Sequence, residues 1–175
     1  MRLAIIGIQG SGKGTQAKLI TKEFKLKRIS VGELGRREIR KKSKEGKILE
    51  KYMNKGLMAP NQIVNKLILK NTPKNNFIVD GFPRDEKQLK VADKINLEKV
   101  ILITLPKKEV YKRIRKRKKL EGRIDDQKEA LETRLKIFYK QSPKIIKHFE
   151  SKLIKVNGNQ SIKKVFSDIK KALSK

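Results

Sequence analysis

Cysteine is absent from this chain and histidine occurs once, as His148. Without cysteine there can be no disulfide, no thiol nucleophile and no zinc-finger ligand set. The lone histidine sits in a helical pattern and reads as an ordinary helix-face residue rather than a base or a ligand. Aromatic residues make up only 5% of the chain, too few to interleave with basic residues as stacking on nucleic-acid bases requires. No apolar run approaches the roughly 18 residues needed to cross a bilayer. Met1 and Arg2 lead directly into a strand pattern with no signal peptide, so the expected compartment is the cytoplasm. Acidic residues are scarce, 18 against 47 lysines and arginines, and the formal net charge is +29. Such a field attracts anions, nucleotides and nucleic acids alike. The lysines are spread through every segment rather than gathered in a tail, which marks most of them as solvated surface.

What remains is a chain of 175 residues, a length that suits one domain burying roughly 70% of its unfolded surface. It is organised around its first sixteen residues. Leu3-Ala4-Ile5-Ile6 is a short uncharged apolar run, read as a buried strand, and it feeds into Gly7-Ile8-Gln9-Gly10-Ser11-Gly12-Lys13-Gly14-Thr15-Gln16. Gly7, Gly10 and Gly12 let the backbone turn its N–H groups inward around an anion. A helix starting near Lys13 adds the positive end of its dipole, and the Lys13 ammonium adds a mobile charge. The general phosphate-loop pattern places a hydroxyl directly after the lysine, where it binds magnesium. Here Gly14 intervenes and the hydroxyl arrives one residue late, as Thr15.

Further motifs follow in order. Ser30-Val31-Gly32-Glu33-Leu34-Gly35-Arg36 opens a helix, with Ser30 and Glu33 spaced as a capping box. Two polar helices fill 37–59 and end at Gly56, after which Leu57-Met58-Ala59-Pro60 makes a corner. Asn61 to Lys70 is another helix. Asn76-Phe77-Ile78-Val79 is a second buried strand, delivering Asp80-Gly81-Phe82-Pro83-Arg84, with Gln88 close behind. After the strand Val100 to Thr104, Pro106 opens a helix carrying Tyr111-Lys112-Arg113-Ile114-Arg115-Lys116-Arg117-Lys118-Lys119. Read alone, that run is the best nucleic-acid patch in the chain, although Arg113 and Arg117 stand four apart and share one helix face. Gly122-Arg123-Ile124-Asp125-Asp126 comes next, where Asp126 and Glu129 also suit a helix N-terminus. A long helix over 126–149, interrupted at Pro143, a strand Lys152 to Val156, the turn Asn157-Gly158-Asn159-Gln160 and a closing helix Ser161 to Leu173 complete the chain. Strands alternating with helices predict an α/β fold, a doubly wound parallel sheet of five strands near 2–6, 27–30, 76–80, 100–104 and 153–156. Both Lys13 and Asp80 leave their strands at the carboxyl edge, where such sheets bind ligands.

The sequence G-x-x-G-x-G-K-G-T, the S-x-G-x-x-x-R stretch and D-G-F-P-R together resemble the nucleoside monophosphate kinases, in particular adenylate kinases of the short-lid form. The resemblance covers nearly the whole chain, in order. It departs at Gln9, where proline is usual, and at Val31 and Gly35, usually threonine and leucine. It implies a P-loop kinase fold with a core of 1–29, 60–116 and 127–175, a helical monophosphate-binding insertion over 30–59 and a short lid over 117–126. It implies ATP on Gly10, Ser11, Gly12, Lys13, Gly14, Thr15, Arg113, Arg117 and Gln160. It implies AMP on Val31, Arg36, Leu57, Met58, Ala59, Gly81, Phe82, Pro83, Arg84, Gln88, Arg123 and Arg134. Lys13, Arg84, Arg117, Arg123 and Arg134 would surround the transferring phosphoryl, and Asp80 would hold a water on a magnesium ion brought with ATP. Asp125 and Asp126 either cap a helix or close the lid onto arginines. A zinc-bearing lid is not expected without cysteine. A monomer is expected, with no membrane or nucleic-acid partner. Gln88 favours AMP as acceptor, because Gln can pair with an adenine edge through two hydrogen bonds. A uridylate or cytidylate kinase is the nearest alternative, and a basic nucleic-acid-binding protein using its phosphate loop as a switch is a more distant one.

Overall fold

The first strand shows why the sheet forms. Leu3, Ala4, Ile5 and Ile6 are all buried at the centre of β1 (Arg2–Gly7), a run without alternation, as expected of a strand covered on both faces. In the computed structural model, which describes residues 1–121 and 127–174, β1 is followed by α1 (Lys13–Phe24), β2 (Lys27–Ser30), α2 (Val31–Arg40), α3 (Lys44–Asn54), α4 (Asn61–Asn71) and β3 (Phe77–Asp80). Then come α5 (Leu89–Lys94), β4 (Lys99–Thr104), α6 (Lys107–Glu121), α7 (Lys128–His148), β5 (Leu153–Asn157) and α8 (Ile162–Leu173). The five strands lie in the order β2-β3-β1-β4-β5, and every pairing is parallel. The expected strands are therefore all present, each within a residue of its expected limits.

Successive β1 side chains point to opposite faces, and the two faces carry different cores. Leu3 and Ile5 join Ile78, Ile101, Ile103, Ala17, Ile20, Val165 and Ile169, beneath α1 and α8. Ala4 and Ile6 join Ile29, Val79, Leu102, Leu34, Val64, Ile68, Ala92 and Ile145, beneath α2, α4, α5 and α7. A side chain such as Ile5, 0% exposed, stabilises the fold by about 2 kcal/mol through area removed from water. A third cluster, Ile8, Leu105, Val110, Ile114, Leu131 and Leu135, packs α6 against α7. Strand order reverses beside β1, which has β3 on one side and β4 on the other. That is the switch point where a crevice opens at the carboxyl edge of a parallel sheet.

Two expectations require correction. Pro143 does not interrupt α7, which runs through it from Lys128 to His148. Proline removes one donor to the preceding turn, a loss that this 21-residue helix absorbs while Leu131, Leu135 and Ile145 keep its inner face buried. Ser30 does cap α2, accepting from the Glu33 N–H, but Glu33 does not complete a box. Its carboxylate instead accepts from Arg28 at 2.8 Å, and a charge-assisted bond outcompetes a neutral amide. Residues 117–121 of the expected lid are the last residues of α6. The helix α5 had no counterpart in the sequence reading, because LKVADK is too short to show a period.

Candidate active site

The loop between β1 and α1 is built by backbone conformation. Gly7, Gly10 and Gly12 all have positive φ, at 143°, 80° and 94°. Gly12 is the N-cap of α1, and a Cβ added to it would meet no atom within 4 Å. It would project into open space, the hollow of a cradle lined by amides at a helix N-terminus. Lys13 begins α1 and folds its ammonium back to donate to the Ile8 carbonyl at 2.7 Å. Its pKa falls from the ordinary 10.5 to about 7. Burial is the main cause, followed by repulsion from Arg84, with Arg117 and Arg134 adding to it and Asp80 partly opposing. The four cations are therefore neighbours, although they come from α1, the segment after β3, α6 and α7.

They line one cavity of about 850 Å³ that opens along the sheet edge. Along its lining Arg113 donates to the Gly158 carbonyl at 2.9 Å, and Gln160 is held by the Asn157 carbonyl and the Asp168 carboxylate. Val31, Arg36, Leu57, Met58, Ala59 and Gln88 line the same cavity. Gly10, Ser11, Gly14, Thr15, Gly81 and Pro83 also line it. Arg134 bridges the walls, donating to the Gln9 Oε1 at 2.9 Å and to the Met53 carbonyl at 3.3 Å. Gln9 was noted in the sequence only as a departure from proline, and here it supplies an acceptor that proline lacks. Phe82 does not line the cavity. At 0% exposed its ring belongs to the core beneath α4 and α5, because an apolar ring gains more there than beside charged groups. His148 lies away from the cavity, with Nε2 2.8 Å from the Asp93 carboxylate. Arg123, Asp125 and Asp126 lie outside the described residues.

The segment after β3 is knotted to itself. Arg84 donates through Nε to the Gly81 carbonyl at 2.7 Å, and its backbone N–H donates to Gln88 Oε1 at 2.8 Å. Gly81 has φ of 78°, and a Cβ there would lie 2.5 Å from Arg84 Nη2. The guanidinium thus lies directly against the Gly81 backbone. Gln88, 1% exposed, also donates from Nε2 to Asn61 Oδ1 at 2.7 Å. Asn61 in turn donates to Asp85 at 3.1 Å. This chain of partners orients the Gln88 amide, leaving one N–H and one lone pair to spare. Asn61 was not singled out by the sequence, and nothing local in it announces the contact.

Asp80 ends β3, and its side chain is 9% exposed. Its Oδ2 accepts from Arg28 Nη2 at 2.7 Å, while Arg28 Nη1 reaches Glu33 at 2.8 Å. Arg28 is a second residue that the sequence reading passed over. The only local signal was a charge set within a strand. Among the described residues no group of three or more His, Cys, Asp or Glu could hold a metal ion unaided. One buried carboxylate beside an open phosphate cradle is nevertheless the donor set magnesium accepts, since that ion keeps its waters and leans on one or two carboxylates and substrate phosphates.

A family model described as adenylate kinase matches residues 5–154. An adenylate kinase of Azobacteroides pseudotrichonymphae genomovar. CFP2 is 35% identical over 181 residues, covering 97% of this chain and 95% of the relative. One from Thermoanaerobacter sp. (strain X514) is 31% identical over 212 residues, covering 99% and 98%. One from Buchnera aphidicola subsp. Cinara cedri is 35% identical over 199 residues, covering 93% and 92%. With cradle, converging arginines and near end-to-end similarity all in agreement, the chain belongs to the adenylate kinase family.

Proposed function

We propose that the cavity binds MgATP and AMP tail to tail and catalyses MgATP + AMP ⇌ 2 ADP. The observation that carries this reading is the gathering of Lys13, Arg84, Arg117 and Arg134 beside the phosphate cradle in one cavity. ATP lies with its phosphates in the cradle of Gly10 to Thr15 and its base toward Arg113 and Gln160. AMP lies against Val31, Arg36, Leu57, Met58, Ala59 and Gln88, its phosphate gripped by Arg84. The γ-phosphoryl leaves the β–γ bridging oxygen as a phosphate oxygen of AMP bonds to phosphorus. No proton needs removal, because the acceptor phosphate is largely a dianion near neutral pH. Catalysis then rests on alignment and on positive charge around the equatorial oxygens. Asp80, through a water, and Thr15 would hold the magnesium ion, which when bound would supply positive charge to the phosphates. Residues 30–59 serve as the acceptor-binding segment and 117–126 as a short lid that excludes water. In this reading the protein acts as a monomer, and a cytoplasmic setting suits a protein without cysteine.

Two results test the reading. In a coupled assay across AMP, UMP, CMP, GMP and dTMP, AMP is expected to give the highest kcat/KM, and a higher value for UMP or CMP would overturn the acceptor assignment. Asn61→Leu removes the acceptor of the Gln88 Nε2 hydrogen bond. It is expected to raise the KM for AMP on the order of tenfold, about one hydrogen bond to the base, with kcat within a few-fold of wild type. An unchanged KM would remove Gln88 from base recognition.

A further inference from the structure

The proposed mechanism makes no use of Arg28, yet its placement is specific. In the β2–β3 ladder Ser30 lies opposite Asp80 and Arg28 opposite Ile78. Arg28 thus stands two residues back on the face that carries Asp80. From there its guanidinium reaches the strand ends and divides its two arms between carboxylates, Nη2 to Asp80 at 2.7 Å and Nη1 to Glu33 at 2.8 Å. The Asp80 contact is nearly dry, with side chains 15% and 9% exposed, whereas Glu33 is 55% exposed. The pair presses against the first turn of α1: a Cβ on Gly14 would lie 3.6 Å from both Arg28 Nη2 and Asp80 Oδ2. Arg28 Nε is buried with no hydrogen-bond partner among the described residues. A buried donor left unmet is costly, so it is the two carboxylates, not general satisfaction of the side chain, that hold the guanidinium there.

We propose that Arg28 is a built-in counter-cation for Asp80 and Glu33, occupying in the nucleotide-free protein the place that a hydrated divalent cation would otherwise take between them. The inference rests on reading Asp80 as the carboxylate that faces the nucleotide's cation. With Arg28 present the three side chains sum to one negative charge, and without it to two. A lone carboxylate already satisfied by a guanidinium has little affinity for a free divalent ion. The ion therefore enters with the nucleotide, whose phosphates supply most of its ligands. Arg28 also spares the protein an unpaired buried carboxylate when no ion is there. Arg28 is in this sense a positioning residue, holding Asp80 in one orientation and suppressing ion binding ahead of nucleotide.

The test uses Mn²⁺ alone as probe, on the full nucleotide-free chain, following the paramagnetic resonance signal of the free ion at fixed ionic strength. Wild type is expected to bind Mn²⁺ at least tenfold more weakly than Arg28→Gln, which should take up one ion per chain. Adding Asp80→Asn to Arg28→Gln should abolish the gain. Equal affinity in wild type and Arg28→Gln, or a gain that survives Asp80→Asn, would overturn the proposal. If Arg28→Gln fails to fold by circular dichroism, Arg28→Lys replaces it. One ammonium lacks the planar fork that serves both carboxylates, so at least a threefold gain is expected, and none would overturn it. Because no nucleotide is present, this outcome is independent of whether the acceptor is AMP.

Discussion

Lys13→Met is expected to reduce turnover by a factor on the order of 10³ or more while raising the melting temperature of the nucleotide-free protein. The loss follows from removing the one mobile charge at the phosphate cradle, a change of about 4 kcal/mol in transition-state stabilisation at 1.36 kcal/mol per decade. The gain in stability follows from the crowding of Lys13, whose pKa drops from 10.5 to about 7 through burial and the repulsion of Arg84, Arg117 and Arg134. A base whose folded pKa is depressed burdens the fold fully below the folded value. The unfolded chain then binds more protons between pH 7 and 10.5, so stability rises across that window. Water in the open cavity softens the burden, and we expect a net gain for Lys13→Met of about 2 kcal/mol, or roughly 4–8 °C, near pH 6. The gain should shrink as pH rises above 7 and fade by pH 10. Thermal melts of both proteins from pH 6 to 10 check this. A pH-independent difference would show that Lys13 carries no such burden, and full activity would remove it from the mechanism. The same electrostatics bear on binding: phosphates restore the ammonium, so nucleotide affinity should be highest below pH 7.

The second large effect is expected at Arg84. Arg84→Ala should lower kcat/KM on the order of 10³, as loss of an arginine at a transferring phosphoryl does. The fold should survive, because the anchor of this segment is the backbone N–H of residue 84, which donates to Gln88 whatever the side chain. Arg84→Lys should recover only a small part, since an ammonium is a point charge and cannot give two parallel hydrogen bonds to one phosphate. Steady-state kinetics with AMP varied at saturating ATP, alongside a melting curve, distinguish loss of grip from loss of structure. Near-normal kcat/KM in Arg84→Ala would show that the acceptor phosphate sits elsewhere. A large drop in melting temperature would instead assign Arg84 a structural role over Gly81.

Some of this site was readable because the information was local. Leu3 to Ile6 is apolar without alternation, Gly7, Gly10 and Gly12 permit positive φ, and the strand and helix on either side supply context within sixteen residues. The same is true of Phe77 to Arg84, where a buried strand hands over directly to Asp80 and a tight turn. Amphipathic or buried periods located the other strands. Where several local choices were available, sequence spacing alone misled. Glu33 had the spacing of a capping box but pairs with Arg28, Pro143 had the identity of a helix breaker but lies inside α7, and Phe82 sat within a binding motif but packs in the core.

The sequence by itself therefore determined the parallel α/β architecture, the phosphate cradle and the family of chemistry, since each is written in short runs whose period and glycine placement act over neighbouring residues. Only the tertiary structure decided who partners whom. Arg28 meets Asp80 across 52 positions and Gln88 meets Asn61 across 27. Arg134 reaches Gln9 across 125. Such pairs are set by strand register and by the way α4 and α7 pack on the sheet. A charged or amide side chain commits to the partner that the folded backbone brings within hydrogen-bond reach, a choice that no local pattern records.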